Sequence, residues 1–253
     1  MTTPNTATPA HDAAAARDVP FEVTARLGSP VAVSVPWGIA LDGLLAAEIR
    51  ENTKAAAHDA GTDYEPYDPD TAPPVLELPL ARCTAAGDRQ WHWCATFAHP
   101  VDEIPGPHVE YWTTRPDQRG LDHIAEALPA TISARQGRYR AHVMPLPVTI
   151  AAALSWRGVG DPDQVRDLLS GIAAIGRKRS SGYGHILDWI VTEHPSADLW
   201  EYSHLHRSGT LGRTTPLTCL AVRSDITTGE PVRMGLRPPY MHPHTRHQVV
   251  LPG

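Results

Sequence analysis

At 253 residues the chain is long enough to bury a sizeable core, as one large domain or as one domain with an extension. With 42% hydrophobic and 20% charged residues it reads as an ordinary globular protein, and no apolar run is long enough to cross a bilayer as a helix. A formal net charge of −6 argues against non-specific coating of nucleic acid, and the non-basic start MTTPNTATPAHDAAAARD is not a secretory signal, so the expected location is cytoplasmic.

Residues 1–20, rich in Ala, Thr and Pro, are expected to form a disordered tail. FEVTARLGSPVAV, from Phe21, has β character with a Gly-Ser-Pro break. In LDGLLAAEIRENTKAAAHDAG, Leu41, Leu44, Leu45, Ile49 and Ala56 recur at helical spacing, and Gly61 is the stop. An acidic, proline-rich loop, TDYEPYDPDTAPP, follows. VLELPLARC and QWHWCATFA flank TAAGDR as a hairpin, with Trp91 and Trp93 on one strand face, where packing is their expected role. Residues 99–120 are loop-rich, and DHIAEALPA predicts a short helix. YRAHVMPLPVTIAAALSWRG predicts one or two strands broken by Pro145 and Pro147. After VTIAAALSW, Asp161 and Pro162 form a helix start. The helix DQVRDLLSGIAAI places Val165, Leu168, Leu169, Ile172 and Ala173 on one face. HILDWIVTE then alternates as a strand that buries Ile186, Trp189 and Val191. Beyond residue 195 the pattern turns irregular, and 196–253 is expected to be an extension that wraps the domain or reaches a partner.

Charge is unevenly distributed. Residues 1–80 carry 12 acidic and 4 basic side chains, whereas residues 135–185 carry 8 basic and 3 acidic. A polyanion senses local sign within a Debye length of about 8–10 Å, so one dedicated groove is compatible with an acidic chain. The focus of the basic segment is GRKRSSGYG, residues 176–184. A nucleotide P-loop needs its glycines between a strand and the following helix, with Lys-Ser/Thr after the last glycine; here they follow a helix and precede a strand. A dinucleotide fingerprint fails for the same reason. Two readings remain. Arg177, Lys178 and Arg179 complement a helix C-terminus that Gly176 caps. Alternatively, the loop holds RNA: Gly182 and Gly184 admit phosphate close to the backbone, Ser180 and Ser181 add donors, and Tyr183 stacks on a base.

A short hydrophobic helix running into this loop and then a strand resembles the C-terminal glycine-rich loop of the RAMP superfamily of CRISPR proteins. The early LDGLLA, the segment LLSGIAAIGRKRSSGYGHILDW and the late RPPY are similar to the type IV effector subunit equivalent to the one that caps the crRNA 5′ end. The resemblance implies an α+β protein with a modified ferredoxin-like (RRM-type) fold over 21–195. It implies a non-catalytic subunit that holds the 5′ handle of a guide-type RNA and abuts a backbone subunit of the filament, with a large subunit as a further candidate partner. It also makes Gly176 to Gly184 the RNA-contacting set. The alternatives are a RAMP-type metal-independent endoribonuclease that processes guide RNA, and a protein-only scaffold.

A second basic cluster, RQGRYRAH, stands independently of that resemblance. Arg135, Arg138 and Arg140 surround Tyr139, which suits either a single strand of nucleic acid or a charged strand edge that blocks pairing. His142 and His185 lie beside the two basic segments and are the candidate acid–base groups for the enzyme reading, although a structural role is expected for each. His242, His244 and His247 are spaced like a metal tail but lack a carboxylate or cysteine companion. The odd cysteines Cys83, Cys94 and Cys219 contain no CxxC pair, so buried free thiols are expected rather than a disulfide or a zinc site; the alternative is that Cys83 and Cys94 face each other across the hairpin. No cofactor is expected.

Overall fold

The computed structural model describes residues 17–33, 35, 38–64, 66, 68, 70–114, 127, 142–207, 210–221, 223 and 225–252. Strand β1 (Val19–Leu27) alternates from Phe21 to Arg26. Phe21, Val23 and Ala25 are fully buried, while Glu22, Thr24 and Arg26 face the other way. The chain breaks at Gly28-Ser29-Pro30 and resumes as the two-residue β2 (Val31–Ala32). Helix α1 (Leu41–Asp59) buries Leu41, Leu45 and Ala46 and half-buries Leu44 and Ile49. Its second half is exposed, Ala56 included, so the apolar stripe ends earlier than the spacing suggests. Gly61 follows the helix end, as expected.

The hairpin β3 (Arg82–Cys83) and β4 (His92–Trp93) leads to β5 (His99–Glu103), β6 (His108–Thr114), β7 (His142–Thr149) and β8 (Ala151–Gly160). Helix α2 (Pro162–Ser170) begins as the sequence dictates: the Asp161 carboxylate accepts from the backbone N–H groups of Asp163 and Gln164. Strand β9 (Ile186–Glu193) completes the main sheet, whose order is β5-β8-β1-β9 with every pair antiparallel. The units β1, α1, β5, β8, α2 and β9 thus run strand–helix–strand–strand–helix–strand, with the first and third strands central. This order is compatible with a ferredoxin-like fold. The two helices pack on each other, and the core holds Phe21, Val23, Leu45, Leu154, Trp156, Val165 and Leu169.

A second, three-stranded sheet, β2-β7-β6, grows out of the first. The β5–β8 pairing continues past Glu103↔Ala151 through a bond from the Ile104 N–H to the Ile150 carbonyl (2.8 Å) into the β6–β7 ribbon. Pro145 and Pro147 lie inside β7, opposite Tyr111 and Val109, rather than breaking it. Being two apart, they direct their missing donors to the same side of the strand, and β2 covers β7 only at Val148 and Thr149.

The expectation of an irregular segment over 196–253 is corrected. This segment forms α3 (Leu199–His204), the hairpin β10 (Leu205–Arg207) with β11 (Thr210–Leu211), α4 (Leu217–Leu220), and the hairpin β12 (Thr228–Gly235) with β13 (Arg246–Pro252). It carries its own small core of Leu205, Leu211, Leu220 and Val250. Short strands with few apolar residues give a weak periodic signal, and their stability comes from docking on the main domain. Among the described residues, no helix is long and apolar enough to cross a membrane.

Candidate nucleic-acid interface

Helix α2 stops at Ser170, capped by Gly171, earlier than the expected run to Ile175. Residues 173–175 are instead extended. Ala174 bridges His185, the Ile186 N–H donates to the Ala173 carbonyl (2.9 Å), and the Ile175 N–H donates to the Gly184 carbonyl (2.9 Å). Residues 176–184 therefore form the tip of an irregular hairpin rather than a helix terminus. The macrodipole effect fades within the last turn of a helix, so it does not account for Arg177, Lys178 and Arg179.

The tip is anchored from both sides. The Arg177 N–H donates to the Ala32 carbonyl and the Gly184 N–H to the Pro30 carbonyl, both at 2.8 Å. Arg179–Ser181 make a single tight turn, closed by the Gly182 N–H on the Arg179 carbonyl (3.0 Å). The Lys178 ammonium sits over the Trp112 ring of β6, 3.1 Å from its centroid, in a cation–π contact. The Tyr183 hydroxyl donates to the Glu110 carboxylate, which pushes its pKa above the usual phenol range, and its ring packs beside Leu146 and Val148. Arg179, Ser180, Ser181 and Gly182 remain exposed.

Three stretches far apart in sequence meet beside this tip. A cleft of about 460 Å³ is lined by Gly43 of LDGLLA, Arg177 and Arg179 of the loop, and Tyr240 of RPPY, with Phe97 and Met241 among its apolar walls. Beneath it the Tyr240 hydroxyl donates to both oxygens of Asp42 (2.8 and 2.9 Å); Asp42 is fully buried and Tyr240 half-buried. Burial raises the Asp42 pKa, while the nearby Arg213 guanidinium and the Tyr240 hydroxyl oppose that rise. Arg213 is itself fully buried; it donates to the carbonyls of Ala95 (2.9 Å), Leu236 (2.8 Å) and Trp93. Two exposed arginines at the mouth of an apolar cleft suit an anionic ligand with flat apolar parts.

Sequence reasoning located the loop but missed Trp112, Glu110, Asp42 and Arg213. Nothing in a single helix pattern marks Asp42 as buried, because its partners lie about 170 and 200 positions away. Arg135, Arg138, Tyr139 and Arg140 lie outside the described residues, as do residues 1–16 and nearly all of DHIAEALPA. His142 opens β7 and His185 precedes β9, so the two candidate acid–base groups sit on different elements. His242 is buried, with Nε2 on the Asp68 carbonyl (3.0 Å), and His247 lies apart on β13 opposite Met234. The three cysteines are free thiols, and the alternative of Cys83 facing Cys94 fails because the hairpin register sets Cys83 opposite His92. Cys94 packs with Val159 and Tyr202, and burial pushes its thiol pKa up to about 11. Trp91 and Trp93 pack edge to face at 5.1 Å with Arg82 over both rings.

Two loop glycines should respond differently to substitution. At Gly184 (φ +67°) a β-carbon would run into the Ile175 carbonyl, so Gly184→Ala is expected to cost about 2–4 kcal/mol. At Gly182 (φ +90°) nothing lies within 4 Å, so Gly182→Ala should cost only about 1–2 kcal/mol, from backbone strain. Urea titration of both variants checks this order, and equal losses would contradict it.

No curated protein matches the chain. A family model, described as CRISPR type IV associated protein Csf3, matches residues 19–252, from the first residue of β1 to the last of β13. The chain therefore belongs to the Csf3 family of type IV CRISPR associated proteins.

Proposed function

We propose that this protein is a non-catalytic RNA-binding subunit that holds the 5′ end of a guide-type RNA and caps one end of a type IV CRISPR ribonucleoprotein. The observation that carries this reading is the meeting of LDGLLA, GRKRSSGYG and RPPY at one cleft rimmed by Arg177 and Arg179. The cations and the open backbone at Gly182 hold phosphates, and the apolar wall receives a base. In this reading the ferredoxin-like core is of the RRM type. The β6–β7 ribbon contacts the loop through Trp112 and Glu110 and extends the RNA-binding side, and Arg135, Arg138, Tyr139 and Arg140 are the second RNA-binding set. The outer surface of the domain meets the backbone subunit of the filament.

The test uses purified full-length protein and end-labelled single-stranded RNA, with and without metal. Binding without scission is the expected result. Metal-independent scission lost on changing His142 or His185 would replace this reading with the endoribonuclease, and absence of binding would leave a protein-only scaffold. Purification from cells is expected to recover a defined RNA with a repeated backbone subunit.

A further inference from the structure

Outside the cleft described above, four side chains that sequence spacing did not connect converge. Cys83 and His92 face each other across the β3–β4 hairpin, His204 ends α3, and Cys219 lies on α4. Their ligand atoms all lie within 4.8 Å of one another. Cys83 Sγ and Cys219 Sγ are 3.9 Å apart, and His92 Nε2 and His204 Nε2 are 3.0 Å apart. A tetrahedral zinc ion with Zn–S of about 2.3 Å and Zn–N of about 2.0 Å requires edges of about 3.8 Å between sulfurs and about 3.3 Å between nitrogens. The observed spacings approach both.

The ring orientations add a second, independent observation. His92 Nδ1 lies 3.3 Å from the Gln90 carbonyl and His204 Nδ1 lies 2.9 Å from the Trp200 carbonyl. A carbonyl only accepts, so each neutral ring carries its proton on Nδ1. Both Nε2 lone pairs then point at each other, a repulsive arrangement that a shared cation converts into two bonds. Histidine metal ligands are held in this way, with the distal N–H on a backbone carbonyl. His92, His204 and Cys219 are buried, and Trp200 stacks on His204 at 4.6 Å. Cys83 is half-buried and borders a cleft with Cys94 and Ser203, which gives the ion a way in.

We propose that Cys83, His92, His204 and Cys219 form a structural zinc centre that staples the C-terminal segment to the ferredoxin-like domain. Two ligands come from the insertion after α1 and two from the last quarter of the chain, so the ion closes a long loop. Two thiolates and two neutral imidazoles saturate a tetrahedral ion and leave no open position for chemistry. Loading releases one proton from each thiol and forms two Zn–S and two Zn–N bonds, with no change of oxidation state. The absence of a CxxC pair hid the site, because each ligand pair bridges separate elements.

The test is elemental analysis of the full-length protein purified without chelator, followed by cobalt(II) titration of the reduced, chelator-stripped chain. About one zinc per chain is expected, and cobalt should give the visible bands of a tetrahedral site with thiolate charge transfer. Stripping should lower the thermal midpoint by roughly 10 °C, with recovery on adding zinc. Cys219→Ser should lose zinc and the thiolate band, while Cys94→Ser, a buried cysteine outside the cluster, should keep both. A metal-free protein whose reduced chain gives no tetrahedral cobalt spectrum would overturn the proposal, as would zinc retained by a Cys83→Ser/Cys219→Ser variant. The cobalt titration of the unsubstituted chain decides the matter even if the serine variants fail to fold.

Discussion

Arg213→Met is expected to destabilise the protein by about 3–5 kcal/mol, out of a total that for domains is about 5–15 kcal/mol. Arg213 is fully buried, and its guanidinium serves the carbonyls of Trp93, Ala95 and Leu236, which belong to different parts of the fold. It also supplies the positive charge beside the buried carboxylate of Asp42. Methionine fills most of the volume but leaves the carbonyls without a donor and the carboxylate without a counter-charge. Asp42→Asn placed in the Arg213→Met background should recover part of the loss, because it removes the uncompensated charge. The pH dependence carries a definite sign. Burial raises the Asp42 pKa in the folded state above its unfolded value of about 3.8, so the folded chain binds the proton more tightly. Stability in Arg213→Met should therefore rise as pH falls from 7 toward the unfolded pKa, and Asp42→Asn should flatten that slope. Equilibrium urea unfolding measures both variants against the unsubstituted chain. A loss below about 1 kcal/mol for Arg213→Met would mean that the network is not a structural keystone.

Replacing Arg177, Lys178 and Arg179 together with alanine is expected to weaken RNA binding similarly across sequences. Each lost phosphate contact on a single strand lowers the magnitude of the log-affinity against log-salt slope by about 0.7, so three give roughly 2. Lys178 needs separate attention because its ammonium already rests on the Trp112 ring. If it stays there when RNA binds, Arg177→Ala/Arg179→Ala alone should account for about 1.4 of the change. A helix-capping role would instead cost about 0.3–1 kcal/mol of stability per cation with binding intact. The end of α2 at Ser170 already counts against that role. Gly182→Val tests the backbone. Its position is open, so the variant should fold, but a branched side chain at φ +90° would stand where phosphate must approach. Filter binding over a salt series reads the result. An unchanged slope in the triple variant, with normal assembly into the ribonucleoprotein, would reduce the loop to a surface turn.

The sequence by itself determined what short-range physics can encode. Alternation placed Phe21, Val23 and Ala25 on the core face of β1, and Asp161-Pro162 started α2 where the structure starts it. The basic glycine-rich loop was visible as composition, because three cations in an acidic chain need no tertiary context to be noticed. Boundaries set by pairing were less legible. Ala173 and Ala174 continue a helical pattern, yet Gly171 weakens the helix and bonds to His185 and Ile186 compensate for leaving it. Pro145 and Pro147 looked like breaks until the ribbon showed which side of β7 lacked a neighbour. The segment after 195 looked irregular because its strands are short and borrow their stability from the domain beneath. Tertiary structure alone decided the two polar centres. Asp42, Arg213 and Tyr240 are ordinary surface residue types in their local contexts, and only the burial of Asp42 and Arg213, with the Tyr240 hydroxyl on the carboxylate, makes each one necessary to the others. Cys83, His92, His204 and Cys219 carry no spacing signal, since a hairpin and two short helices bring them together across more than 130 positions of chain. Local sequence fixes which side chains exist and how their own element turns; which of them face one another is settled only when non-local burial folds the elements together.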